Sequence, residues 1–350
     1  MDPDLLKHDS SGMMSKVGSL PEQLRSGMDL AVEAWQPLRG FMPDDLVVAG
    51  MGGSAIGAEI LRTFADDRLP FPMSICRGYN LPRFVGEGSL VICSSYSGNT
   101  AEALACFDSA LRSGARVGCV CSGGDLLGKA KEHSIPCLKL PTGYPPRAAV
   151  GYSFAALLGL VVHTGMMEYR EDEVAECAEI LEGLSRVYSE VGAGGNAALL
   201  MAKGLLDRIP LVYCGTCLAA VALRWKNQFC ENSKKLAFVG ILPEMTHNDI
   251  MGWEIDRKGI EPGVVFLRSS LEHPGVAARF TFLRDVVART GSFCGEFWGS
   301  GPGLLAQIFS LILLGDYASV YLALLRGLDP TPIETIDEMK SRLEKENLEA

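Results

Sequence analysis

The apolar run Leu90-Val91-Ile92-Cys93 is followed by Ser95-Tyr96-Ser97-Gly98-Asn99-Thr100, and a helix-forming stretch, Ala101-Glu102-Ala103-Leu104-Ala105-Cys106, begins at once. A strand that ends in small hydroxyl residues and runs straight into a helix is a unit of a parallel α/β sheet. A lone Ser or Thr before a helix is an N-cap. Three hydroxyls and a glycine crowded into one turn exceed what capping requires. With the free amide N–H groups at the positive end of a helix, they read as a cradle for a phosphate monoester.

A second turn of this kind follows Leu46-Val47-Val48-Ala49, where the chain reads Gly50-Met51-Gly52-Gly53-Ser54-Ala55-Ile56-Gly57. Glycines at a strand-to-helix turn let the backbone approach a ligand without a Cβ clash. The same letters spell G-x-G-x-x-A, the pattern of a dinucleotide site, which needs a carboxylate at the end of the next strand. That strand, Met73-Ser74-Ile75-Cys76, ends in Arg77-Gly78-Tyr79. The dinucleotide reading therefore lacks its ribose partner, and only a 2′-phosphate facing Arg77 would keep it open.

Further strands are expected near 90–93, 116–120 and 136–140, with helices between them. Residues 150–187 read as helical and 192–196 as a turn. The pattern then restarts with a strand at Ile209–Gly215, a helix through Gln228, and strands at 236–239 and 264–270. The expected fold class is α/β, with two domains that each carry a parallel sheet flanked by helices in three layers. The boundaries expected are an N-terminal helical segment at 1–40, a first domain at 41–190, a second at 191–328 and a helical tail at 329–350. The ligand site is expected on the first domain, because the second lacks the glycine turn and the full hydroxyl cluster.

Composition narrows the partners. A chain of 350 residues with a net charge of −10 does not suit nucleic acid or an anionic membrane surface. Its 11 cysteines are scattered singly through apolar segments, as reduced thiols of a cytoplasmic protein would be. Cys214-Gly215-Thr216-Cys217 has the spacing of a redox or zinc motif but no second pair for a metal. The acidic N-terminus, Met1-Asp2-Pro3-Asp4, has no signal-peptide apolar core. The apolar stretches 150–167 and 304–325 are interrupted by His163, and by Gln307 and Asp316, and read as helices buried all round.

Three polar segments stand within apolar surroundings. Arg147 follows Tyr144-Pro145-Pro146 and precedes a buried helix, so it is either a surface group or a cation aimed at an oxyanion. Glu231, in Gln228-Phe229-Cys230-Glu231-Asn232-Ser233-Lys234, ends a helix and is either exposed or a base. His247, in Pro243-Glu244-Met245-Thr246-His247-Asn248, is one of five histidines and is either a general acid/base or a plain loop residue.

Taken together, Gly50-Met51-Gly52-Gly53-Ser54-Ala55, Ser95-Tyr96-Ser97-Gly98-Asn99-Thr100, Pro146-Arg147, Glu231-Asn232-Ser233-Lys234 and Glu244-Met245-Thr246-His247-Asn248 resemble the bifunctional phosphoglucose/phosphomannose isomerases of the SIS (sugar isomerase) superfamily. The resemblance runs from Gly50 to Lys340. It implies two SIS-type domains, a homodimer, no metal or cofactor, and reversible aldose-ketose isomerisation of hexose 6-phosphates. By resemblance, Ser95, Ser97 and Thr100 bind the phosphate, and Gly53 and Ser54 line the sugar site. Glu231 moves a proton between C1 and C2, and Arg147 stabilises the enediolate. His247, from the neighbouring subunit, and Lys340 open the ring, with Lys340 matched only by its place on the C-terminal helix. Thr331 and Thr335 are candidates to line the space around C2. The alternative is a non-catalytic SIS sensor of sugar phosphates. Glucosamine 6-phosphate synthesis would need a glutaminase domain, and only about 40 residues precede the first strand.

Overall fold

The computed structural model describes residues 5–170, 172–192, 195–254, 259 and 261–345. The N-terminal residues 1–4, residues 193 and 194 of the expected turn and residues 346–350 of the expected tail lie outside them. Helices α1 (Met13–Gly18) and α2 (Leu20–Ala34) lead into β1 (Asp45–Gly50), α3 (Gly52–Ala65), β2 (Met73–Cys76), β3 (Ser89–Ser94), α4 (Ala101–Arg112), β4 (Arg116–Cys121), α5 (Gly124–Glu132) and β5 (Cys137–Lys139). Then come α6 (Val150–His163), α7 (Glu173–Ser189), α8 (Ala197–Gly204), β6 (Ile209–Gly215), α9 (Ala219–Glu231) and β7 (Phe238–Leu242). The chain closes with β8 (Pro262–Arg268), α10 (Pro274–Ala288), β9 (Phe293–Trp298), α11 (Leu304–Leu325) and α12 (Glu334–Lys345).

The chain divides into two compact units. One holds the described residues of Leu20–Asp172 and Ile333–Ala350, the other those of Met1–Ser19 and Glu173–Pro332. This grouping differs from the linear boundaries expected near 40, 190 and 328. Helices α7 and α1 pack on α11 and so join the second sheet, whereas α2 packs along α6 and joins the first.

In the first unit the strand order is β2-β1-β3-β4-β5, all parallel. Val47, Ala49, Val91, Cys93, Val117 and Cys119 share one face of this sheet with Cys106 and Phe107 of α4 and Leu126 of α5. That period of two is what a sheet covered on both faces produces. The strand order reverses between β1 and β3, where Ala49 pairs with Cys93 and Gly50 with Ser94. Ligands of open parallel sheets bind in the crevice at such a reversal, beyond the carboxyl ends of the strands. Both the glycine turn and the hydroxyl loop leave from that point.

The second unit repeats the design with the order β7-β6-β8-β9, again all parallel. Tyr213, Val264 and Phe266 meet Phe280, Leu283 and Val287 of α10 on one face. Helix α11, apolar and long enough to cross a membrane by composition, is buried from Leu305 to Leu324 with α7, α8 and α9 packed against it.

Three elements depart from expectation. The helix expected over 150–187 is split into α6, ending at His163, and α7, beginning at Glu173, with Gly165 at φ 85° after the first. The strand expected at 236–239 runs over 238–242, because the apolar Leu236 is in fact 72% exposed and outside the sheet. Strand β9 was not anticipated. It is an edge strand without a fully buried residue, and its apolar letters are interrupted by Gly295 and Glu296.

Candidate active site

Strand β3 delivers the hydroxyl loop and α4 carries the chain away from it. Ser95 Oγ lies 2.8 Å from Thr100 Oγ1 and accepts the Gly98 N–H at 3.1 Å, so the loop closes on itself at the start of the helix. Ser97 Oγ accepts the Asn99 N–H at 3.3 Å and faces solvent. Gly98 has φ 78°, and a Cβ there would stand 1.8 Å from the Gly123 carbonyl oxygen, so glycine alone allows the β4–α5 loop to press against it. Asn99 completes that seam by accepting the Asp125 N–H on Oδ1 at 2.9 Å. Thr100 holds the N-cap position of α4, yet its side chain makes no capping bond. The first amide N–H groups of a helix have no intrahelical acceptor, and those of α4 begin directly after Thr100.

The glycine turn stands beside this loop. Ser54 Oγ accepts the Tyr96 N–H at 3.0 Å and ties the two segments together. A Cβ on Gly53 would meet the Pro146 carbonyl oxygen at 2.7 Å, so the missing side chain lets the Pro146–Ala148 turn close in. Arg147, on that turn, is 3% exposed. Tyr96 holds its approach: the phenol donates to the Pro141 carbonyl at 2.7 Å and accepts the Tyr144 N–H at 3.2 Å. Gly53, Ser54, Ser95, Ser97, Thr100 and Arg147 are therefore gathered at the β1/β3 crevice of one unit.

The dinucleotide reading loses its last support here. Arg77, the group a 2′-phosphate would need, donates to Glu59 Oε1 at 2.7 Å. Burial pushes the Glu59 carboxyl up, but the Arg62 and Arg77 guanidinium groups outweigh it and hold the carboxyl below its ordinary value.

The crevice of the second sheet, between β6 and β8, is built differently. Gln307 Oε1 accepts from Ser269 Oγ at 2.7 Å and from the Ser270 N–H at 3.1 Å, while its Nε2 donates to Ser270 Oγ at 2.7 Å. Arg268 nearby is neutralised by Glu272 and Glu296. Here the chain's own Gln307 amide takes the hydroxyls and two carboxylates cancel the cation. Burial also pushes the Cys214 and Cys217 thiols up, away from the thiolate that redox chemistry needs. All eleven cysteines carry free thiols. Among the described residues no three His, Cys, Asp or Glu side chains converge to hold a metal ion.

Glu231 is the last residue of α9 and is half-buried. Lys234, in a left-handed conformation at φ 51°, turns the chain out of the helix, and its Nζ donates to the Glu231 carbonyl at 2.7 Å. A cation there suits the negative end of the helix. His247 ends the 3-10 turn Glu244–His247 after β7 and is exposed. Thr246 fixes that turn by donating to the Pro243 carbonyl at 2.6 Å and accepting from Arg279 Nε at 3.2 Å. Lys340 lies exposed on the charged helix α12. The cradle and Arg147 thus belong to one unit, and Glu231 and His247 to the other.

Two sets of residues escaped the sequence reading. Tyr96 sits inside the motif that was singled out, but nothing in its spacing tells that its hydroxyl pins the Arg147 loop. Asp316 was noted only as a polar break in an apolar run, although one carboxylate within a 22-residue buried helix calls for a partner. That partner is Arg224 of α9, which donates from Nη2 to Asp316 Oδ2 at 2.6 Å.

Comparison with known proteins follows the same lines. Residues 195–343 match the family model described as the bacterial phospho-glucose isomerase C-terminal SIS domain. The bifunctional phosphoglucose/phosphomannose isomerase of Caldicellulosiruptor bescii is 37% identical over 336 residues, covering 95% of this chain and 98% of that protein. The protein of the same name from Aquifex aeolicus is 33% identical over 302 residues, covering 86% of this chain and 90% of that one. Among solved structures, a hypothetical protein from Thermus thermophilus superposes with a TM-score of 0.73 at 17% identity, over 99% of this chain and 93% of the other. At that identity the superposition speaks for the fold alone.

Proposed function

The chain belongs to the bifunctional phosphoglucose/phosphomannose isomerase family, and on that premise we propose that it interconverts glucose 6-phosphate, mannose 6-phosphate and fructose 6-phosphate. The observation that carries this reading is the β1/β3 crevice, where hydroxyls, a helix N-terminus without a side-chain cap and the buried Arg147 converge. Ser95, Ser97, Thr100 and the α4 amides take the phosphate, and Gly53 and Ser54 line the sugar. His247 and Lys340 open the ring as acid/base groups. Glu231 removes the proton from C2 of the open-chain aldose, giving a cis-enediol, and returns it to C1. One carboxylate serves both carbons because the two protons lie on the same face of the intermediate. Arg147 stabilises the negative charge that develops on the enediolate oxygens.

The exposed position of His247 on its turn supports a homodimer in which that histidine acts in the neighbouring subunit's site. The free thiols support a protein of the cytoplasm.

The test is incubation of the chelator-treated protein with fructose 6-phosphate. Formation of both glucose 6-phosphate and mannose 6-phosphate is expected, and glucose 6-phosphate alone would narrow the specificity. Binding of the sugar phosphate with neither product would turn the reading to a sensor.

Ser97→Ala combined with Thr100→Ala is expected to act on binding. Hydrogen bonds to a charged group contribute about 1.5–3 kcal/mol each. The solvent-facing Ser97 sits at the low end of that range, and the α4 amides remain. KM for fructose 6-phosphate should rise roughly a hundred- to a thousandfold with a small change in kcat. Unchanged binding by calorimetry would dissolve the cradle.

A further inference from the structure

The face of α9 turned towards α11 carries a buried polar stripe beside Trp225, whose Nε1 donates to the Leu311 carbonyl at 2.8 Å. Arg224, Gln228 and Asn232, at four-residue spacing, are 2%, 1% and 0% exposed. Asp316 Oδ1 accepts from Arg224 Nε at 2.9 Å and from Gln228 Nε2 at 3.0 Å. Asn232 Nδ2 donates to Ser319 Oγ at 2.9 Å, and Ser319 Oγ in turn donates to the Asp316 carbonyl at 2.7 Å. Ser233 Oγ donates to the Ser319 carbonyl at 2.7 Å. These bonds from the stripe land on Asp316 and Ser319, within one turn of α11, and Glu231 lies between its last two members.

An apolar seam would hold two helices together as well or better. A buried ion pair loses in desolvation much of what it gains in attraction, and well-packed apolar replacements are often neutral or stabilising. What directional bonds add is orientation, because a bidentate guanidinium–carboxylate pair fixes an angle that a leucine contact leaves loose. Successive helix residues are turned by about 100°, which sets Glu231 roughly 60° round from Gln228. A rotation of about 20° would swing a carboxylate at the rim of the helix by about 2 Å. A displacement of about 1 Å costs on the order of a hundredfold in rate.

We propose that Arg224, Gln228, Asn232, Asp316 and Ser319 are positioning residues that lock the rotation of α9 and thereby aim Glu231 at C1 and C2. The inference rests on Glu231 being the base. These groups touch neither substrate nor reacting atoms and act through the helix they hold.

The experiment replaces the pair by apolar residues, Arg224→Met with Asp316→Leu, and compares it with Ser319→Ala and Glu231→Gln. The double variant is expected to keep its circular dichroism and unfold within a few degrees of wild type, with kcat roughly ten- to a hundredfold lower and KM nearly unchanged. With glucose 6-phosphate deuterated at C2 its isotope effect on kcat should exceed that of wild type, since a misaimed base slows the proton transfer itself. Ser319→Ala, which removes one link, should show the same signature at about tenfold and serves if the double variant does not fold. Wild-type kcat in either folded variant overturns the proposal, and so does a loss of rate with an unchanged isotope effect, which marks fewer active molecules. If Glu231→Gln itself retains turnover, the base assignment falls and takes the proposal with it. If Glu231→Gln is inactive while the apolar variants are fully active, the positioning role alone is wrong.

Discussion

Glu231→Gln is expected to lower turnover by about a hundred- to ten-thousandfold, the usual consequence of losing a positioned base, while fructose 6-phosphate binds nearly as before. The two side chains have the same shape, and Glu231 sits half-buried at the end of α9 with its backbone carbonyl capped by Lys234. On the proposed reading the phosphate is held in the other unit, at the loop of Ser95 and Thr100. The variant therefore separates chemistry from binding, and calorimetry beside steady-state kinetics reads both. A variant that isomerised at the wild-type rate would remove Glu231 from the mechanism. One that failed to bind sugar phosphate would show that the carboxylate serves the binding step.

How much of this could be read from the sequence differs between the two units. In the first sheet the strand ends at 49 and 93 stood out because both strands are wholly apolar and stop at glycine or hydroxyl residues. Their adjacency at the reversal of strand order is a property of the topology, and it explains why two turns more than forty residues apart meet. In the second sheet the edge strands β7 and β9 are half-exposed; β7 is expected two residues early and β9 is missed, its apolar letters broken by Gly295 and Glu296. The break between α6 and α7 was hidden because helical letters continue on either side of Gly165. The candidate site residues of the hydroxyl loop, Glu231 and His247 are named by residue type and local setting alone. The contacts of Tyr96 with Pro141 and Tyr144, and of Asp316 with Arg224, could not be read, since they join segments far apart in the chain. Side chains that do chemistry carry a local signature; those that hold them in place are defined by a contact, and a contact between distant segments leaves no mark on spacing.

Arg147→Ala is the second large effect expected: kcat falls about a hundred- to a thousandfold, the range found when one donor to a developing oxyanion is removed. Arg147 is nearly sealed from solvent on the Pro146–Ala148 turn, and a guanidinium held in so little water acts on nearby charge with far less screening than a surface group. The turn itself is fixed by other means. It packs on Gly53, whose missing Cβ leaves 2.7 Å to the Pro146 carbonyl oxygen, and Gln23 Nε2 donates to the Ala148 carbonyl at 2.8 Å. Truncation at Cβ therefore removes the cation while leaving the backbone that carried it. Because the lost group is a discrete guanidinium, guanidinium ion added to the solution should restore part of kcat with saturation, and ammonium should restore less, lacking the planar fork. Lys in place of Arg should recover only part of the rate for the same reason. Full activity without rescue would show that the enediolate is stabilised elsewhere. A rise in KM at constant kcat would instead make Arg147 a ground-state contact, shared equally by substrate and transition state.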